Sequence, residues 1–122
     1  MLLYIHVPFC RARCGYCAFH SYPLRDLGGQ GGDEALLRYT ETLMAEIALW
    51  GDRLGRAKVE TVFFGGGTPS LLPAKAVYAV MKRLRSAFDI APEAEISFEA
   101  NPESFIKMGY AHELKKAGVT RI

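Results

Sequence analysis

Three cysteines near the start of the chain are the residues whose type and spacing most directly indicate chemistry. Cys10, Cys14 and Cys17 lie within eight residues, and the chain has no other cysteine. An odd, clustered set does not form a disulfide framework, and in a reducing compartment such a cluster is typical of a metal site. Three thiolates hold three irons of a four-iron cluster and leave the fourth iron open to a small molecule. The spacing therefore favours a reactive iron–sulfur cluster.

Zinc is the alternative ligand of this segment. The three cysteines together with His20 supply three sulfurs and one nitrogen, which is a permitted structural zinc set, and His6 competes for the fourth place. Taken singly, His6, His20 and His112 are interpreted as structural or surface residues. The cysteines alone thus leave both metals open.

A run of glycines follows an apolar segment later in the chain. Gly65-Gly66-Gly67-Thr68-Pro69-Ser70 comes directly after Glu60–Phe64, which reads as a strand. Glycine has no side chain, so the backbone of this turn is able to approach a ligand closely. The run lacks the spacing and the lysine of a phosphate-binding P-loop, and it is not a dinucleotide fingerprint. A tight strand-to-helix turn is the alternative, but three consecutive glycines exceed what such a turn requires.

Glu99 is the carboxylate whose position most suggests a site. It ends the alternating segment Glu95–Ala100, on the same face as Glu95, Ser97 and Asn101. Because parallel strands are normally covered on both faces, a carboxylate at the carboxyl end is expected to point into a site, where it accepts hydrogen bonds from ribose hydroxyls or an ammonium. An exposed polar face is the alternative.

The elements that must position these residues follow from hydrophobic period. Leu2–Val7 reads as a buried strand, Phe9–His20 as a loop and Asp26–Gly32 as a glycine-rich linker. Asp33 caps a predicted helix of about four turns, in which Trp50 is assigned to the core. The apolar stripe of this helix consists of Leu36, Tyr39, Leu43, Ile47 and Trp50.

The rest of the chain repeats this alternation. A second helix is predicted to begin at Pro73, and Pro92 ends the connection to the strand Glu95–Ala100. A third, weaker helix is predicted between Pro102 and Gly118, before Val119–Ile122 starts a fourth strand. The buried face of the second helix is assigned to Val77, Met81, Leu84 and Phe88.

The order strand–helix, repeated three times, predicts an α/β fold with parallel strands and right-handed crossovers. In such folds chemistry gathers at the carboxyl ends of the strands. The cysteine loop, the glycine turn and Glu99 each follow one strand in the sequence. We therefore expect all three on one rim of the sheet.

Composition limits the classes of function. The chain has 122 residues, of which 50% are hydrophobic and 23% charged, as in one globular domain rather than a disordered or fibrous chain. The net charge of +2 is small and scattered, so nucleic acid is not an expected partner. No apolar stretch approaches the ~20 residues of a transmembrane helix, and no secretory leader is visible. The cytoplasm is the expected compartment.

Four segments together resemble the radical S-adenosylmethionine enzymes related to oxygen-independent coproporphyrinogen III oxidase. Their order is far more specific than the cysteine spacing alone, and it favours the cluster over zinc. The resemblance implies the N-terminal portion of a partial (β/α)6 TIM-like barrel, with order β-α-β-α-β-α-β, over residues 1–122. The segments are Tyr4-Ile5-His6-Val7-Pro8-Phe9-Cys10, Cys14-Gly15-Tyr16-Cys17, Phe63-Phe64-Gly65-Gly66-Gly67-Thr68-Pro69-Ser70 and Glu99-Ala100-Asn101-Pro102.

The resemblance also implies cofactors and residue roles. The three cysteines would ligate a [4Fe–4S] cluster whose open iron binds S-adenosylmethionine, and an electron donor such as flavodoxin or ferredoxin would reduce it. The methionine end would be lined by Gly66, Gly67 and Thr68. Glu99 would contact S-adenosylmethionine, Tyr16 would pack near its adenine, and Tyr4 would lie close to the cluster.

One position separates branches of this family. The oxidases carry a further cysteine two residues after the third ligand, where this chain has Phe19. Cys17-Ala18-Phe19-His20-Ser21 resembles instead the HemW-type heme chaperones, which implies heme as cargo. The porphyrinogen oxidase is the alternative, and a zinc-binding structural module is the second. The relatives are longer, so we expect this chain alone to be marginally stable and unable to cleave S-adenosylmethionine.

Overall fold

A computed structural model describes residues 1–27, 31–106 and 109–122. Its main strands and helices alternate as the hydrophobic periods predict, but the first helix has 24 residues rather than about four turns, and Asp33 lies in its first turn and does not cap it. Two short 3-10 helices, Leu24–Leu27 and Pro69–Leu71, complete it. In chain order the named elements are β1 (Leu2–Val7), β2 (Phe9–Cys10), β3 (Tyr22–Pro23), α1 (Gly31–Leu54), β4 (Lys58–Gly66), α2 (Ala74–Ala87), β5 (Asp89–Phe98), α3 (Pro102–Phe105) and α4 (Tyr110–Ala117).

The main sheet is parallel throughout, with the strand order β1-β4-β5. Its register pairs Val7 with Gly66 and Phe64 with Phe98, so the carboxyl ends of the three strands are level. The predicted fourth strand is present as a single parallel bridge between Ser97 and Arg121. The predicted parallel α/β architecture is confirmed.

Helices α1 and α2 pack together over a core in which the strands contribute alternate side chains. The strand residues Val7, Val62 and Phe64 have no exposed surface. The helices complete the core with Leu36, Ile47, Val77, Val80, Met81, Leu84 and Leu114.

Trp50 is not a core residue, and that prediction is wrong. Its side chain is 45% exposed, donates to the Glu46 carboxylate at 3.4 Å and lies 5.5 Å from the Arg53 guanidinium. The neighbouring Gly51 takes the contact with α2 instead, because a Cβ there would lie 2.7 Å from the Cβ of Ala87. Because Gly51 is the residue of this turn that faces Ala87 of α2, Trp50 lies about 100° away around the helix, at the side of the contact.

β5 begins earlier than predicted and contains Pro92. The ladder pairs Val59 with Ile90 and Thr61 with Glu95, so residues 91–94 bulge opposite Glu60 alone. A proline in such a bulge has no ladder hydrogen bond to lose, which explains why it does not end the strand.

The third helix differs from its prediction. In the described residues it is two helices, α3 and α4, and Gly109 has φ = 82° directly before α4. Residues 107–108, within the predicted helix, and residues 28–30, within the predicted linker, lie outside the described residues. The predicted end at Gly118 is confirmed, because this glycine caps α4 with φ = 98°.

Candidate functional site

A groove of about 660 Å³ opens at the carboxyl ends of the three strands. One wall is the loop that carries the cysteines, another is the glycine turn after β4, and the third follows β5. The three motifs expected on one rim therefore lie together. The groove is lined by Cys10, Arg11, Ala12, Cys14, Cys17, Phe19, Gly66, Gly67, Thr68, Pro69, Leu71, Glu99, Ala100, Asn101, Pro102, Glu103 and Ser104.

The cysteine loop is closed at its base by the two-residue parallel pairing of β2 with β3. The Tyr22 N–H donates to the Pro8 carbonyl at 2.7 Å, and within the loop the Cys17 N–H donates to the Cys14 carbonyl at 3.0 Å. All three thiols are free; Cys14 is exposed, whereas Cys10 and Cys17 are half-buried. The loop therefore presents three uncommitted thiols from a fixed base.

The glycine turn is hydrogen-bonded to the strand that carries the first cysteine and to the cysteine itself. The Gly67 N–H donates to the Val7 carbonyl at 2.8 Å and the Thr68 N–H to the Phe9 carbonyl at 2.7 Å. The Thr68 hydroxyl lies 3.6 Å from the Cys10 Sγ, as a donor to sulfur. A Cβ on Gly67 would lie 2.5 Å from the Phe9 carbonyl oxygen. The sequence predicted close approach to a ligand here, and the first close neighbour is the cysteine loop itself.

His6 joins the two ends of the cysteine loop. Its Nε2 lies 3.0 Å from the His20 carbonyl oxygen, which only accepts, so Nε2 carries the proton. In the neutral ring Nδ1 then accepts from the Tyr4 hydroxyl at 3.1 Å. The ring packs on Gly66, where φ is +113° and a Cβ would lie 2.6 Å from Nδ1. The single histidine gave no signal of this tether, because its partner is a backbone atom across the loop.

The two tyrosines assigned to the site lie outside the groove wall formed by the described residues. Tyr4 stacks on Phe63 with ring centroids 6.0 Å apart and reaches the cysteine loop only through His6. Desolvation, and then the Glu99 charge, raise the pKa of Tyr4. Tyr16 is 92% exposed, so its ring has almost no protein contact.

Glu99 lies at the rim immediately after β5. Its N–H donates to the Phe64 carbonyl at 3.0 Å, which fixes the backbone while the side chain stays exposed to the groove. Two residues on, the Asn101 side chain accepts from the Glu103 N–H at 3.0 Å and caps α3. Glu103 also meets Arg11 of the cysteine loop at 3.4 Å. This exposed ion pair links opposite walls of the groove, and nothing in the sequence pattern indicated it.

The donor set fits an iron–sulfur cluster in type and number. In the described part of the chain, no three His, Cys, Asp or Glu side chains converge to metal-binding distance. The three free thiols nevertheless face one groove from one loop. Both histidines considered as a fourth zinc ligand have other partners. The His20 Nε2 lies 2.9 Å from the Tyr22 hydroxyl, and the two ring nitrogens of His6 lie at the His20 carbonyl and the Tyr4 hydroxyl. Three cysteine sulfurs are the protein ligands that a four-iron cluster with one open iron requires.

Comparison with known families agrees with this site. The model of the Radical SAM superfamily matches residues 4–122, and the chain belongs to that superfamily. The family implies a [4Fe–4S] cluster and S-adenosylmethionine as cofactors. A curated relative, the heme chaperone HemW of Mycobacterium tuberculosis strain CDC 1551 / Oshkosh, is 44% identical over 120 residues, covering 98% of this chain and 30% of its own length.

Two further proteins are similar over almost the whole chain. The oxygen-independent coproporphyrinogen III oxidase of Bradyrhizobium diazoefficiens is 38% identical, with 98% of this chain and 25% of that protein covered. The solved structure of coproporphyrinogen III oxidase (HemN) from Escherichia coli, a Radical SAM enzyme, superposes with a TM-score of 0.82 at 31% identity. The superposition covers 97% of this chain but only 26% of the Escherichia coli chain, so this chain matches only the corresponding part of a TIM-like barrel.

In residues 1–27, 31–106 and 109–122, no helix combines the length and apolar character that crossing a bilayer requires.

Proposed function

We propose that the protein is a HemW-type heme chaperone built on a radical S-adenosylmethionine core, with residues 1–122 forming the N-terminal portion of that core. The observation that carries the proposal is the groove in which three free thiols, the glycine turn and Glu99 meet. The cytoplasm is the proposed compartment.

Cys10, Cys14 and Cys17 would hold the [4Fe–4S] cluster. The chemistry that a cluster in this position supplies is one-electron reduction of S-adenosylmethionine, which splits a carbon–sulfur bond. The exposure of Cys14 supports access for an external reductant such as flavodoxin or ferredoxin. The His6 tether and the backbone bonds from Gly67 and Thr68 keep the loop base in place while its tip accommodates the cofactor.

S-adenosylmethionine would lie between the cysteine loop and the end of β5. Gly66 and Thr68 line the groove on one side and Glu99 on the other. The Glu99 carboxylate is exposed there, and it is suited to accept from an ammonium or from ribose hydroxyls. Tyr4 would contribute indirectly, by orienting His6, whereas the exposed Tyr16 would pack against the adenine of a bound cofactor.

Phe19 favours a chaperone over an oxidase. Its ring is 64% exposed and lines the groove two residues after Cys17, where it provides an apolar surface in place of a thiol. Such a surface suits a planar macrocycle that is bound and passed on unchanged. The 44% identity with a heme chaperone supports the same choice.

A coproporphyrinogen oxidase is the second candidate. It is supported by the 38% identical oxidase and by the TM-score of 0.82 with an oxidase structure. The two candidates differ in outcome, because an oxidase converts its porphyrinogen whereas a chaperone transfers heme without altering it.

The first experiment measures iron, zinc and acid-labile sulfide after anaerobic reconstitution, together with the electron spin resonance spectrum after dithionite reduction. We expect about four irons and four sulfides per chain and a spectrum that shifts when S-adenosylmethionine is added. We expect each of three variants, Cys10→Ser, Cys14→Ser and Cys17→Ser, to lose the iron and sulfide and also the spectral shift. The control Ser86→Ala, an exposed change on α2, should keep the cluster and the shift. One zinc without sulfide would contradict the proposal and leave a structural zinc module.

The second experiment separates chaperone from oxidase. The protein is titrated with heme, its absorbance spectrum is followed, and the loaded protein is mixed with a heme-free acceptor. We expect tight binding, transfer of intact heme and no consumption of coproporphyrinogen III. Conversion of the porphyrinogen, or failure of Phe19→Glu to weaken heme binding, would contradict the assignment to the chaperone branch.

A further inference from the structure

Two serines that no motif singled out form a buried hydroxyl pair beside the groove. Ser70 is 2% exposed and lies in the 3-10 helix after the glycine turn, whereas Ser104 is 1% exposed and lies in α3. Their Oγ atoms are 2.5 Å apart. Buried hydroxyls need partners, so the directions of these bonds follow from what surrounds them.

The network has one consistent assignment of protons. The Ser104 hydroxyl donates to the Asn101 carbonyl at 3.0 Å, so its oxygen is left to accept from the Ser70 hydroxyl. The Ser70 oxygen in turn accepts from the Asn101 N–H at 3.0 Å. Every proton is used once, and both backbone groups of Asn101 are bound. We call Ser70, Ser104 and Asn101 the hydroxyl clasp.

The hydroxyl clasp joins two walls of the groove. Ser70 is two residues after Thr68, whose N–H is bonded to the cysteine loop, and Asn101 is two residues after Glu99. The only direct connection described between the cysteine loop and the wall after β5 is the exposed Arg11–Glu103 pair, and exposed pairs hold geometry weakly. The Glu99 N–H bond to the Phe64 carbonyl fixes the end of β5, and the buried clasp adds a second link beyond it, between the segment after the glycine turn and Asn101.

We infer that Ser70 and Ser104 are positioning residues that set the separation between Thr68 and Glu99, and hence the fit of the groove to S-adenosylmethionine. This inference rests on the proposed function. The Asn101 carbonyl also accepts from the Ser104 and Phe105 N–H groups, whereas the acceptor of the Asn101 N–H is the Ser70 hydroxyl. A close-packed apolar pair would fill the same space but would leave that N–H without a directed partner. Neither serine needs to touch the cofactor to act in this way.

The test compares cofactor affinity with cluster content. Ser70→Ala leaves the Asn101 N–H without its acceptor, so we expect S-adenosylmethionine to bind the reconstituted protein about tenfold more weakly, since small misplacement of a positioning group is costly. Ser104→Ala should act similarly, and the double variant should be little worse than either single one, because both belong to one network. Iron and sulfide should stay at wild-type levels, since the hydrogen bonds of the clasp join serine and asparagine atoms and none of them includes a cysteine.

Ser70→Thr, which keeps the hydroxyl, should restore the affinity, and Ser86→Ala is the matched exposed control. Amide hydrogen exchange at Asn101 checks the clasp independently of any cofactor, with faster exchange expected in Ser70→Ala. Unchanged S-adenosylmethionine affinity in Ser70→Ala would overturn the inference, as would additive losses in the double variant. A wild-type protein that holds a cluster but binds no S-adenosylmethionine would instead overturn the proposed function, and the inference with it.

Discussion

At the scale of single residues, the glycine turn consists of glycines because a Cβ at each position would overlap a neighbouring atom. Each of its glycines has a different nearest neighbour: the Phe63 ring, and then the Tyr4 ring, beside Gly65, the His6 ring beside Gly66, and the Phe9 carbonyl with the Cys10 sulfur beside Gly67. A side chain at any of the three positions would overlap a neighbour, which lies on the same strand for Gly65 and on the adjacent strand or the cysteine loop for Gly66 and Gly67.

Gly67→Ala should displace the first cysteine. The new Cβ would lie 2.5 Å from the Phe9 carbonyl oxygen and 3.0 Å from the Cys10 Sγ, so one backbone must shift. We expect a loss of about 1–3 kcal/mol in the free energy of unfolding, as for overpacking, and a lower iron and sulfide content after reconstitution. Urea unfolding and metal analysis measure the two effects.

Gly15→Ala is the matched control, because it lies between Cys14 and Tyr16 and its Cβ would meet nothing within 4 Å. If both variants lost iron equally, the effect would belong to the cysteine loop in general and not to the contact between the glycine turn and Cys10.

At the scale of elements, α1 is attached to the end of β1 by one tyrosine. The Tyr39 hydroxyl donates to the His6 carbonyl at 2.6 Å, and its ring meets Phe9 edge-on with centroids 5.5 Å apart. The helix thereby supports the strand end from which the cysteine loop departs. Burial, followed by the charges of Glu46 and Tyr4, raises the pKa of Tyr39 above its ordinary value of 10.0.

Tyr39→Phe should cost about 1 kcal/mol of unfolding free energy at neutral pH, the usual net value of one hydrogen bond. The raised pKa means that the protonated tyrosine is favoured in the folded state. Its contribution is complete below about pH 10 and is lost as the pH rises through the folded pKa. The difference in unfolding free energy between wild type and Tyr39→Phe should therefore narrow as the pH rises above about 10.

Urea unfolding at several pH values up to 11 measures this gap. Tyr78→Phe, an exposed change on α2, controls for loss of a hydroxyl at neutral pH. A gap that stays constant into the alkaline range would contradict the link between burial and the Tyr39 contribution.

At the contact between α1 and α2, a substitution of Gly51 has two opposite effects on stability: a gain in helix propensity and a steric overlap with α2. Gly51→Ala gains up to about 1 kcal/mol from helix propensity. The added Cβ would, however, lie 2.7 Å from the Ala87 Cβ and 3.0 Å from its carbonyl oxygen. We expect steric overlap to prevail and the midpoint of thermal unfolding to fall, whereas Ala45→Gly, at an exposed position of α1, should lower it through propensity alone.

The midpoint is measured by circular dichroism, and Gly51→Ala combined with Ala87→Gly should recover part of the loss, because the second change removes the struck Cβ. No recovery would mean that the overlap with the Ala87 backbone dominates, and a midpoint above wild type would contradict the close approach of the helices.

The helices and strands could be predicted from sequence where residues close together in the chain determine them. The strand Leu2–Val7 and the parallel order follow from hydrophobic period and from strand–helix alternation. Trp50 was misplaced because a stripe marks a helix face without saying what packs at each turn. Pro92 was misplaced because a bulge depends on the opposite strand. The His6 tether and the hydroxyl clasp join atoms distant in sequence, and no local pattern encodes them.

At the scale of the whole molecule, the sheet has an open side. β1 pairs with β4 and, within the described residues, with no strand on its other edge. Leu2, at its start, is 61% exposed. An apolar strand edge with unpaired backbone groups is a template for association with other chains.

Leu2→Lys should slow aggregation of the protein, because a charge on a strand edge disfavours further pairing. Light scattering at raised temperature follows the rate. Leu37→Lys is the matched control, since Leu37 is 59% exposed but lies on α1. Equal slowing by both variants would attribute the effect to net charge and not to the edge.

The attachment of Cys10 to the glycine turn also has a consequence for biogenesis. The two residues joined by the Thr68 hydroxyl and the Cys10 sulfur are 58 positions apart. At synthesis rates of about 5–20 residues per second, the ribosome adds that length in several seconds. During this interval the cysteines have left the peptidyl-transferase centre without the segment that fixes the first of them. We therefore expect cluster delivery to follow the docking of β4, so that an unfinished chain displays three thiols without the groove that orients them.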